Sequence, residues 1–358
     1  MAEGLAGAEL APGEPPAVLM GQGRVLEVGR AALGSGAPVR RLPGLWLTPA
    51  PMDAHVHLHL GGEVADNLAA TASHGIAAVR DLGHSPQRST PQSPDGRWPK
   101  VLASGPGLGT AGEGGSWLAE KLRGPEQMVE AVRRRAEAGA AVIKVFASGL
   151  LDFEHPGEVL HPLALTRAEL QAAVEAAKGF GLNVAAHVSG ADSVRAAVEA
   201  GVVTVEHGYF MDRPCLELMA ERQVVWVPTL AAVLAHARDP QKRHRPEVRR
   251  NLMAIAQGQM RAMALAESLG VAMAVGTDAG SYGLRHGEAL YTEIKAWLKA
   301  KISPYTVYSS VTKMFASMGA GVQNMGLIRK SSPACLLAVP GDPTQDPTLL
   351  EQTKWRSF

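Results

Sequence analysis

Two histidines, His55 and His57, lie two residues apart in the segment PMDAHVHL. In an extended strand, residues two apart point to the same face of the sheet, so both imidazoles can bind one metal ion. His59 has the same phase but follows the run of strand-like residues. A single His-x-His pair is a weak indication, so the pattern predicts a metal site only if further ligands converge on it.

Further side chains able to bind a metal occur near the expected ends of later strands: Lys144 in VIKVFASG, His187 in VAAHVSG, His207 in VEHGYF and Asp278 in VGTDAGS. Each alone has a commoner structural explanation, because a histidine at a strand end is usually a hydrogen-bonded core residue and an aspartate before Ala-Gly usually forms a turn. As a group they are costly to bury unless they are paired or bound to metal. We therefore expect all four to join the histidine pair in one site.

Eight short apolar runs alternate with amphipathic helical stretches from about residue 50 onward, which indicates βαβ units and a parallel sheet. The predicted strands are 45–57, 77–82, 101–104, 142–147, 183–187, 202–206, 224–228 and 271–277. A chain of 358 residues that is 46% hydrophobic is long enough for one large core. We predict an α/β fold, a TIM-like (β/α)8 barrel with its chemistry at the C-terminal edge of the strands. Spacing alone leaves an open, doubly wound sheet as the alternative.

The clearest helix signal spans residues 166–181. Thr166 can cap this helix, Glu169 completes a capping box three residues on, and Gly181 is a typical stop. Apolar residues at helical spacing predict the face that packs on the sheet: Leu170, Val174 and Ala177. A second helix is predicted over 124–139.

The two ends of the chain differ from this pattern. Short β-like runs broken by Gly and Pro occupy 17–20, 24–28 and 39–42, and 334–339 is similar. We predict one small β-sandwich domain made from residues 1–50 and 328–358, beside a barrel domain of residues 51–327. The Gly-rich segment 105–115 resembles a mobile lid after the third strand. It lacks the strand–loop–helix context of a phosphate-binding loop, so no nucleotide role is expected.

Composition excludes several classes of function. The net charge is +1 with acids and bases interspersed, so nucleic acid and anionic membranes are not expected partners. The basic stretch 241–250 is predicted to be a solvated loop that enters a helix. Cys215 and Cys335 provide no disulfide framework, and the sequence pattern leads us to expect neither a secretory signal nor a membrane-spanning helix. We expect a cytoplasmic protein that acts on a small-molecule substrate, and we leave a homo-oligomer open.

Seven motifs occur in a characteristic order: PMDAHVHL, VRDLG, VIKVFASG, VAAHVSG, VEHGYFM, PTL and VGTDAGS. This series resembles the amidohydrolase superfamily, and most closely its prolidase-like and imidazolonepropionase-related branch, over about residues 45–290. GDPTQDPTLL is similar to the segment with which such proteins return to the small β domain. Two departures concern the local C-terminal structure: Cys335 stands where an acidic residue is common, and 309–324 is atypical for a segment that is usually Ala-rich.

The resemblance implies a two-metal centre, because members with a lysine at the fourth strand carbamylate it and use it to bridge two divalent ions. Zinc is the expected metal, although manganese, iron and cobalt suit the same ligands. The implied ligands are His55, His57 and Asp278 for the more buried ion, His187 and His207 for the more exposed ion, and carbamylated Lys144 for both. A buried lysine loses its proton readily enough to react with carbon dioxide. One metal with Lys144 in another role is the alternative.

In this arrangement a hydroxide held between the metals would attack, Asp278 would carry the proton to the leaving group, and the exposed metal would polarise the scissile carbonyl. Glu206 and Asp81 are expected to orient ligands, with a purely structural hydrogen-bonding role as the alternative. Four residues just after strand ends are candidates for substrate contact, with solvated loop positions as the alternative: Tyr209, His84, His286 and Arg285.

The resulting functional hypothesis is a metal-dependent hydrolase that cleaves an amide bond, most simply in a dipeptide or an N-acyl amino acid. The alternative within hydrolases is an ester, lactone or organophosphate, since the same hydroxide attacks those centres. A deaminase fits less well, because such relatives typically have one metal and lack the strand-four lysine. A degenerate barrel kept as a binding protein is the alternative from another class, and the presence of all six ligand residues argues against it.

Overall fold

The computed structural model describes residues 4–6, 15–93, 99–112, 116–155, 157–319 and 322–358. Its strands are β1 (Gly4–Leu5), β2 (Val18–Gly21), β3 (Arg24–Val28), β4 (Trp46–Pro49), β5 (Met52–Val56), β6 (Ala78–Asp81), β7 (Lys100–Ala103), β8 (Gly107–Thr110), β9 (Ala119–Leu122), β10 (Ile143–Phe146), β11 (Val184–Val188), β12 (Thr204–His207), β13 (Val225–Val227), β14 (Leu336–Val339) and β15 (Trp355–Arg356). The predicted strand 45–57 is therefore two strands, β4 and β5, separated by Ala50 and Pro51.

The helices are α1 (Arg30–Leu33), α2 (Val64–Ser73), α3 (Gly124–Glu137), α4 (Arg167–Gly179), α5 (Ala191–Ala200), α6 (Arg213–Glu221), α7 (Leu230–Arg238), α8 (Pro246–Ser268), α9 (Glu288–Lys299) and α10 (Pro304–Thr312). Short 3-10 helices cover Met314–Ser317 and Pro347–Gln352. The capping box predicted for α4 is confirmed, because the Thr166 hydroxyl accepts from the backbone N–H of Glu169 and the Glu169 carboxylate accepts from that of Thr166. Among the described residues, no helix is both long enough and apolar enough to cross a membrane.

Parallel strands form the main part of the molecule, as the alternation of strands and helices predicted. One sheet has six parallel strands in the order β13-β12-β11-β10-β8-β9, and another has three in the order β5-β6-β7. Neighbouring strands in these sheets are mostly joined by helices, which is the connection that parallel pairing requires.

The prediction of a strand over 271–277 is wrong, because this segment does not form a regular strand. The segment makes isolated parallel bridges from Met273 to Trp226 and from Ala279 to Val56, so it lies between β13 and β5. A side chain takes part in the pairing here, because the Asp53 carboxylate accepts from the backbone N–H of Thr277 at 3.0 Å and from its hydroxyl at 2.7 Å. A second link joins the two parallel sheets. The N–H of Ala141, which precedes β10, donates to the carbonyl of Ala103 at the end of β7 at 2.9 Å.

The segment predicted to be a lid, 105–115, instead contains β8, so that prediction is wrong for Gly107–Thr110. This strand pairs along its length with β9 and at Leu108 with Val145 of β10. Gly107 and Gly109 explain the misleading composition: an added Cβ would come within 2.5 Å of the Phe146 ring at Gly107 and 3.0 Å of the Ala119 side chain at Gly109. Glycine therefore permits close packing at these positions. Residues 113–115 lie outside the described part of the chain.

Both ends of the chain contribute to a smaller set of strands, as predicted. In the sheet β1-β4-β14-β15, β14 runs antiparallel to β4 and pairs Val339 with Trp46. A hairpin, β2-β3, accompanies this sheet. The predicted β-like run 39–42 contains no strand, because Pro38 and Pro43 on either side lack the N–H that a ladder needs.

Buried apolar side chains connect the two parts of the molecule. One large cluster packs the helices on the main sheets and includes Trp226, Trp297 and Tyr308. A second cluster contains Met52 at the start of β5, Val225 at the start of β13, and Leu337 and Val339 of β14. The small sheet is therefore packed against the end of the main strands opposite to their C-terminal edge.

Candidate metal centre

The six side chains predicted as ligands lie in or just after strands of the two parallel sheets and in the bridging segment between them. His55 lies near the end of β5, Lys144 lies in β10, His187 in β11, and His207 ends β12. Asp278 belongs to the bridging segment between β13 and β5. Strand register brings them together, since His187 of β11 stands opposite Phe146 of β10 and Glu206 of β12.

His55, His57 and Asp278 form one compact group whose nitrogen and oxygen atoms lie within 4.8 Å of one another. Oδ1 of Asp278 is 3.2 Å from Nε2 of His57 and 3.6 Å from Nε2 of His55. Nε2 of His55 is buried and has no hydrogen-bond partner among the described residues. Two imidazoles and a carboxylate in this arrangement match the ligand types that divalent zinc, manganese or cobalt accepts.

His187 and His207 form the adjoining part of the site. Their ring centroids are 4.5 Å apart, and the His207 ring centroid is 5.0 Å from that of His55. Nδ1 of His207 lies 2.7 Å from the Thr229 hydroxyl, and Nε2 of His187 lies 3.3 Å from the carbonyl of Gly149. Burial and the neighbouring Lys144 lower the pKa of His187 to about 3, so this imidazole is neutral and able to act as a ligand.

Lys144 is buried among these groups, with a relative exposure of 1%, and its Nζ has no hydrogen-bond partner among the described residues. Its ammonium position lies 5.2 Å from the centre of the Phe146 ring. Burial lowers the pKa of Lys144 to about 8, although the carboxylates of Glu206 and Asp278 oppose this shift. An unpartnered buried amine costs free energy, which indicates that it acquires a partner in the working protein.

Glu206 and Arg80 form a buried hydrogen-bonded pair next to His55. Oε2 of Glu206 lies 2.7 Å from Nδ1 of His55, and Arg80 donates to Oε1 of Glu206 at 2.6 Å and to the carbonyl of Ala54 at 2.8 Å. Burial alone would raise the pKa of Glu206, but Arg80 and His55 more than offset it and hold the pKa at about 2. Glu206 is therefore ionised and keeps the Nδ1 proton on His55.

Asp81 bonds to the backbone, whereas Glu206 contacts an imidazole. Its Oδ1 accepts from the backbone N–H of Leu58 at 2.7 Å, its Oδ2 has no partner among the described residues, and burial raises its pKa to about 6. Nδ1 of His57 contacts the carbonyl of Gly83 at 2.9 Å instead. Asp81 thus holds the backbone that follows His57 rather than the imidazole itself.

Several supporting residues were not predicted from the sequence. Asp53 accepts from the backbone N–H of His55 at 3.2 Å and from Thr277, and burial raises its pKa to about 7. Gln259 donates to the carbonyls of His207 and Pro228 at 3.0 and 2.7 Å. The sequence could have indicated Asp53, because it has the same strand phase as His55 and His57. Nothing in the sequence around Gln259, which lies in α8, indicates its contacts with this site.

Three residues at this site have left-handed backbone conformations. His207 and Asp278 have φ values of 68° and 60°, and Thr229, which contacts His207, has a φ of 49°. Left-handed conformations of this kind are uncommon for residues other than glycine and occur preferentially at functional sites. The strain is held by specific bonds, since Asp278 donates its N–H to the carbonyl of His55 at 2.7 Å.

The four predicted substrate contacts occupy different environments. Tyr209 is buried, with its ring parallel to that of His207 at a centroid distance of 6.2 Å, and burial raises its pKa. His84 is buried, with Nδ1 2.9 Å from the carbonyl of Ser85 and Nε2 without a partner among the described residues. His286 and Arg285 line a separate cavity of about 980 Å³, where His286 is buried and Arg285 is exposed.

The sequence of this chain is similar to those of several known proteins. The model of the amidohydrolase family matches residues 46–356. Ochratoxinase of Aspergillus niger is 26% identical over 364 residues, which cover 87% of this chain and 72% of that protein. An uncharacterized protein of Mycobacterium tuberculosis is 27% identical over 320 residues, covering 86% of this chain and 82% of that protein.

Solved structures give the same result for the fold. A Xaa-Pro dipeptidase with methionine bound in its active site superposes with a TM-score of 0.75 at 24% identity, covering 93% of this chain and 91% of that one. The structure of an amidohydrolase superposes with a TM-score of 0.79 at 23% identity, covering 99% and 96%. At these identities the likeness concerns the fold.

Proposed function

The chain belongs to the amidohydrolase family, the enzymes that hydrolyse C–N bonds, and from this premise we propose that it is a two-metal hydrolase that cleaves the amide bond of a dipeptide or an N-acyl amino acid. The proposed cofactors are two divalent ions, zinc in the first instance, and a carbamylated Lys144. The proposed ligands are those expected from the sequence: His55, His57 and Asp278 for one ion, His187 and His207 for the other, and the carbamate for both.

The observation that carries the proposal is the environment of Lys144. Its amine is buried beside neutral imidazoles, lacks a hydrogen-bond partner among the described residues, and has a pKa lowered to about 8 by burial. A fraction of the amine is therefore uncharged near neutral pH and can attack carbon dioxide, forming an N–C bond and releasing a proton. The carbamate replaces a repelling positive charge with a negative one, which suits a place between two cations.

Bound divalent ions would supply Lewis-acid polarisation of the scissile carbonyl and activation of the attacking water. The protein contributes position and proton transfer. The His57 and His55 imidazoles and the Lys144 amine lower the pKa of Asp278 to about 2 in spite of its burial, so the carboxylate is ionised and can accept a proton. Asp278 then takes the proton of the attacking water and passes it to the leaving nitrogen.

The substrate class rests on what the relatives are named for. A Xaa-Pro dipeptidase shares the fold and an ochratoxinase shares 26% of aligned residues. A dipeptide or N-acyl amino acid is the substrate class that we carry over from them, in agreement with the expectation from the sequence. Glu206 and Asp81 serve as supporting residues in this proposal, whereas Tyr209, His84, His286 and Arg285 remain proposed substrate contacts.

We further propose that the two parallel sheets form one closed (β/α)8 barrel. The bridges of the segment 271–279 to β13 and β5, and the bond from Ala141 to Ala103, support closure on both sides. The division into a barrel of residues 51–327 and a small β domain of residues 1–50 and 328–358 is proposed with it, supported by the pairing of β4 with β14. The cytoplasmic location stays a prediction.

The test is a substrate panel measured with purified, metal-supplemented protein. The panel contains dipeptides, N-acyl amino acids, lactones and phosphotriesters, each assayed before and after chelation. We expect turnover of at least one amide that is lost on chelation and restored by a divalent ion. Turnover confined to esters or phosphotriesters, or turnover of amides that resists chelation, would contradict the proposal.

A further inference from the structure

Helix α7 follows β13 closely, and its first turn lies beside the candidate metal centre. The N-cap residue is Thr229, which lies in the left-handed region with φ 49° and ψ 45° and whose side chain makes no capping hydrogen bond. Threonine is among the residues that usually cap a helix with their side-chain oxygen, and they do so from an extended conformation. Thr229 therefore leaves the first N–H groups of α7 without the cap that its residue type would normally supply.

The Thr229 hydroxyl is used for a different contact. It donates its single proton to the carbonyl of Pro228 at 2.8 Å, so it can only accept from Nδ1 of His207, which is 2.7 Å away. Nδ1 of His207 therefore carries the ring proton, and Nε2 keeps the lone pair that a metal ion needs. The hydroxyl thus fixes the tautomer of a proposed metal ligand.

Glu293 of α9 supplies the cap that Thr229 does not. Its carboxylate accepts from the backbone N–H of Leu230 at 2.9 Å and from that of Ala231 at 2.5 Å, and these are the first two residues of α7. The Trp297 indole donates to the same carboxylate at 2.8 Å. Glu293, Trp297 and Thr229 are all completely buried. Three N–H donors fix the position of a buried carboxylate, and through it the position of the first turn of α7.

We propose that Glu293 is a positioning residue for His207: it caps α7, holds Thr229 in its left-handed conformation and so keeps the threonine hydroxyl on the imidazole. A left-handed backbone is uncommon for a β-branched residue and persists only where the surrounding contacts hold it. The two N–H groups bound by Glu293 belong to the residues directly after Thr229, so they provide that hold. The inference rests on the proposed function, because His207 is a proposed ligand of the more exposed ion.

The first test follows the His207 ring in metal-free protein, where no activity is needed. Long-range proton–nitrogen NMR spectra of protein with isotope-labelled histidine distinguish protonated from unprotonated ring nitrogens, and His207→Gln assigns the signals. In the wild type, Nδ1 should be protonated and Nε2 unprotonated. Thr229→Val, which keeps the shape of the side chain but has no hydroxyl, and Glu293→Gln should both give shifts averaged between the two tautomers.

Trp297→Phe is the matched control for Glu293→Gln. It removes one hydrogen bond from the Glu293 carboxylate in the same buried cluster, but it leaves the bonds to α7 in place. Both variants lose stability, whereas the His207 spectrum should change only in Glu293→Gln. If that variant does not fold, Glu293→Asp, whose carboxylate is one methylene closer to the backbone, gives the same comparison. An unchanged His207 spectrum in a folded Glu293 variant, or an equal change in Trp297→Phe, would overturn the inference.

Zinc titration against a competing chelator, followed on the same nitrogen signals, measures the affinity at His207 and at His57 separately. Glu293→Gln should weaken zinc binding at His207 about tenfold, the low end of the range for residues that orient ligands, and leave binding at His57 within about twofold of the wild type. The combined variant Glu293→Gln, Thr229→Val should bind no more weakly than Thr229→Val alone, because both changes act through one contact. Effects that multiply would overturn the route through Thr229.

These outcomes separate the inference from the proposed function. If the His207 tautomer depends on Glu293 as predicted but the wild type hydrolyses no amide, the positioning role stands and the proposed function fails. If the wild type binds two ions and hydrolyses an amide while the Glu293 variants leave the His207 tautomer and its zinc affinity unchanged, the proposed function stands and the positioning role is overturned. A wild type with mixed His207 tautomers and no bound metal would contradict both.

Discussion

Oε2 of Glu206 lies 2.7 Å from Nδ1 of His55, and both side chains are completely buried. The contact keeps the proton of His55 on Nδ1 and leaves the lone pair of Nε2 pointing toward Asp278, whose Oδ1 is 3.6 Å away. Burial and the nearby Lys144 lower the pKa of His55 to about 4, so the ring is neutral at physiological pH. A neutral imidazole with a fixed tautomer is the form that binds a metal.

Glu206→Gln is expected to weaken metal binding by about 10–100-fold, the range found when a residue that orients a metal ligand is changed. The amide still fills the space, but it carries no charge to hold the His55 proton or to balance Arg80. Competition with a chromogenic chelator measures the affinity. Glu199→Gln, at an exposed position paired with Arg167, is the matched control. An unchanged affinity in the Glu206 variant would show that the contact is only structural.

Lys144→Ala is expected to lose most bound metal and activity, because it removes the amine that forms the proposed carbamate. Bicarbonate together with a short carboxylic acid should partly restore both by supplying oxygen ligands in the vacated space. Elemental analysis and turnover before and after addition provide the measurement. An active, metal-loaded wild-type crystal with a bare ammonium at Lys144 would refute the bridge.

Asp278→Asn is expected to lower kcat by at least about 10²–10⁴-fold with a smaller effect on KM, since the amide keeps an oxygen but cannot accept a proton. Folding and much of the metal binding should survive. The acidic limb of the kcat/KM profile should also disappear from the residual activity. If the variant has wild-type turnover and an unchanged profile, another group transfers the proton, and His84 and His286 are the next candidates.

Glu293 makes a pH-dependent contribution to stability away from the ligands. Its buried carboxylate accepts from the backbone N–H groups of Leu230 and Ala231 at 2.9 and 2.5 Å and from the Trp297 indole at 2.8 Å. Burial raises its pKa from 4.5 to about 7 in the folded protein. The folded state therefore binds more protons than the unfolded state between these values, and the free energy of unfolding falls as pH rises through this window.

The corresponding test compares wild type with Glu293→Gln, which does not titrate. The difference in free energy of unfolding, wild type minus variant, should decrease by up to about 3 kcal/mol between pH 4.5 and pH 7.5. Denaturant titrations in the presence of a chelator measure it without a contribution from metal binding. A difference that is constant with pH, or that grows, would show that the carboxylate is already ionised at the lower pH.

The positions of the ligand candidates could be predicted because strand phase and strand ends determine them. His55 and His57 share one strand phase at the end of β5, and Lys144, His187 and His207 lie in the successive parallel strands β10, β11 and β12. The capping box of α4 could also be predicted, because it depends on two residues that are only three positions apart in the sequence. Local patterns of this kind are visible in a single sequence.

Contacts between distant segments could not be predicted. Glu293 meets Leu230 across 63 residues, and Asp53 meets Thr277 across 224 residues. The second contact also explains why 271–277 is not a regular strand, because the Asp53 carboxylate takes a place in the pairing. Composition misled at Gly107–Thr110, where glycines that suggested a lid instead allow close packing of a strand.

The central claim is tested most directly by titrating metal-free protein with a divalent ion in the presence of bicarbonate while amide hydrolysis is followed. Six converging ligand candidates predict that activity rises to a plateau at close to two ions per chain, with elemental analysis of the active protein giving the same stoichiometry. Full activity after chelation, with no metal found by elemental analysis, would contradict the account.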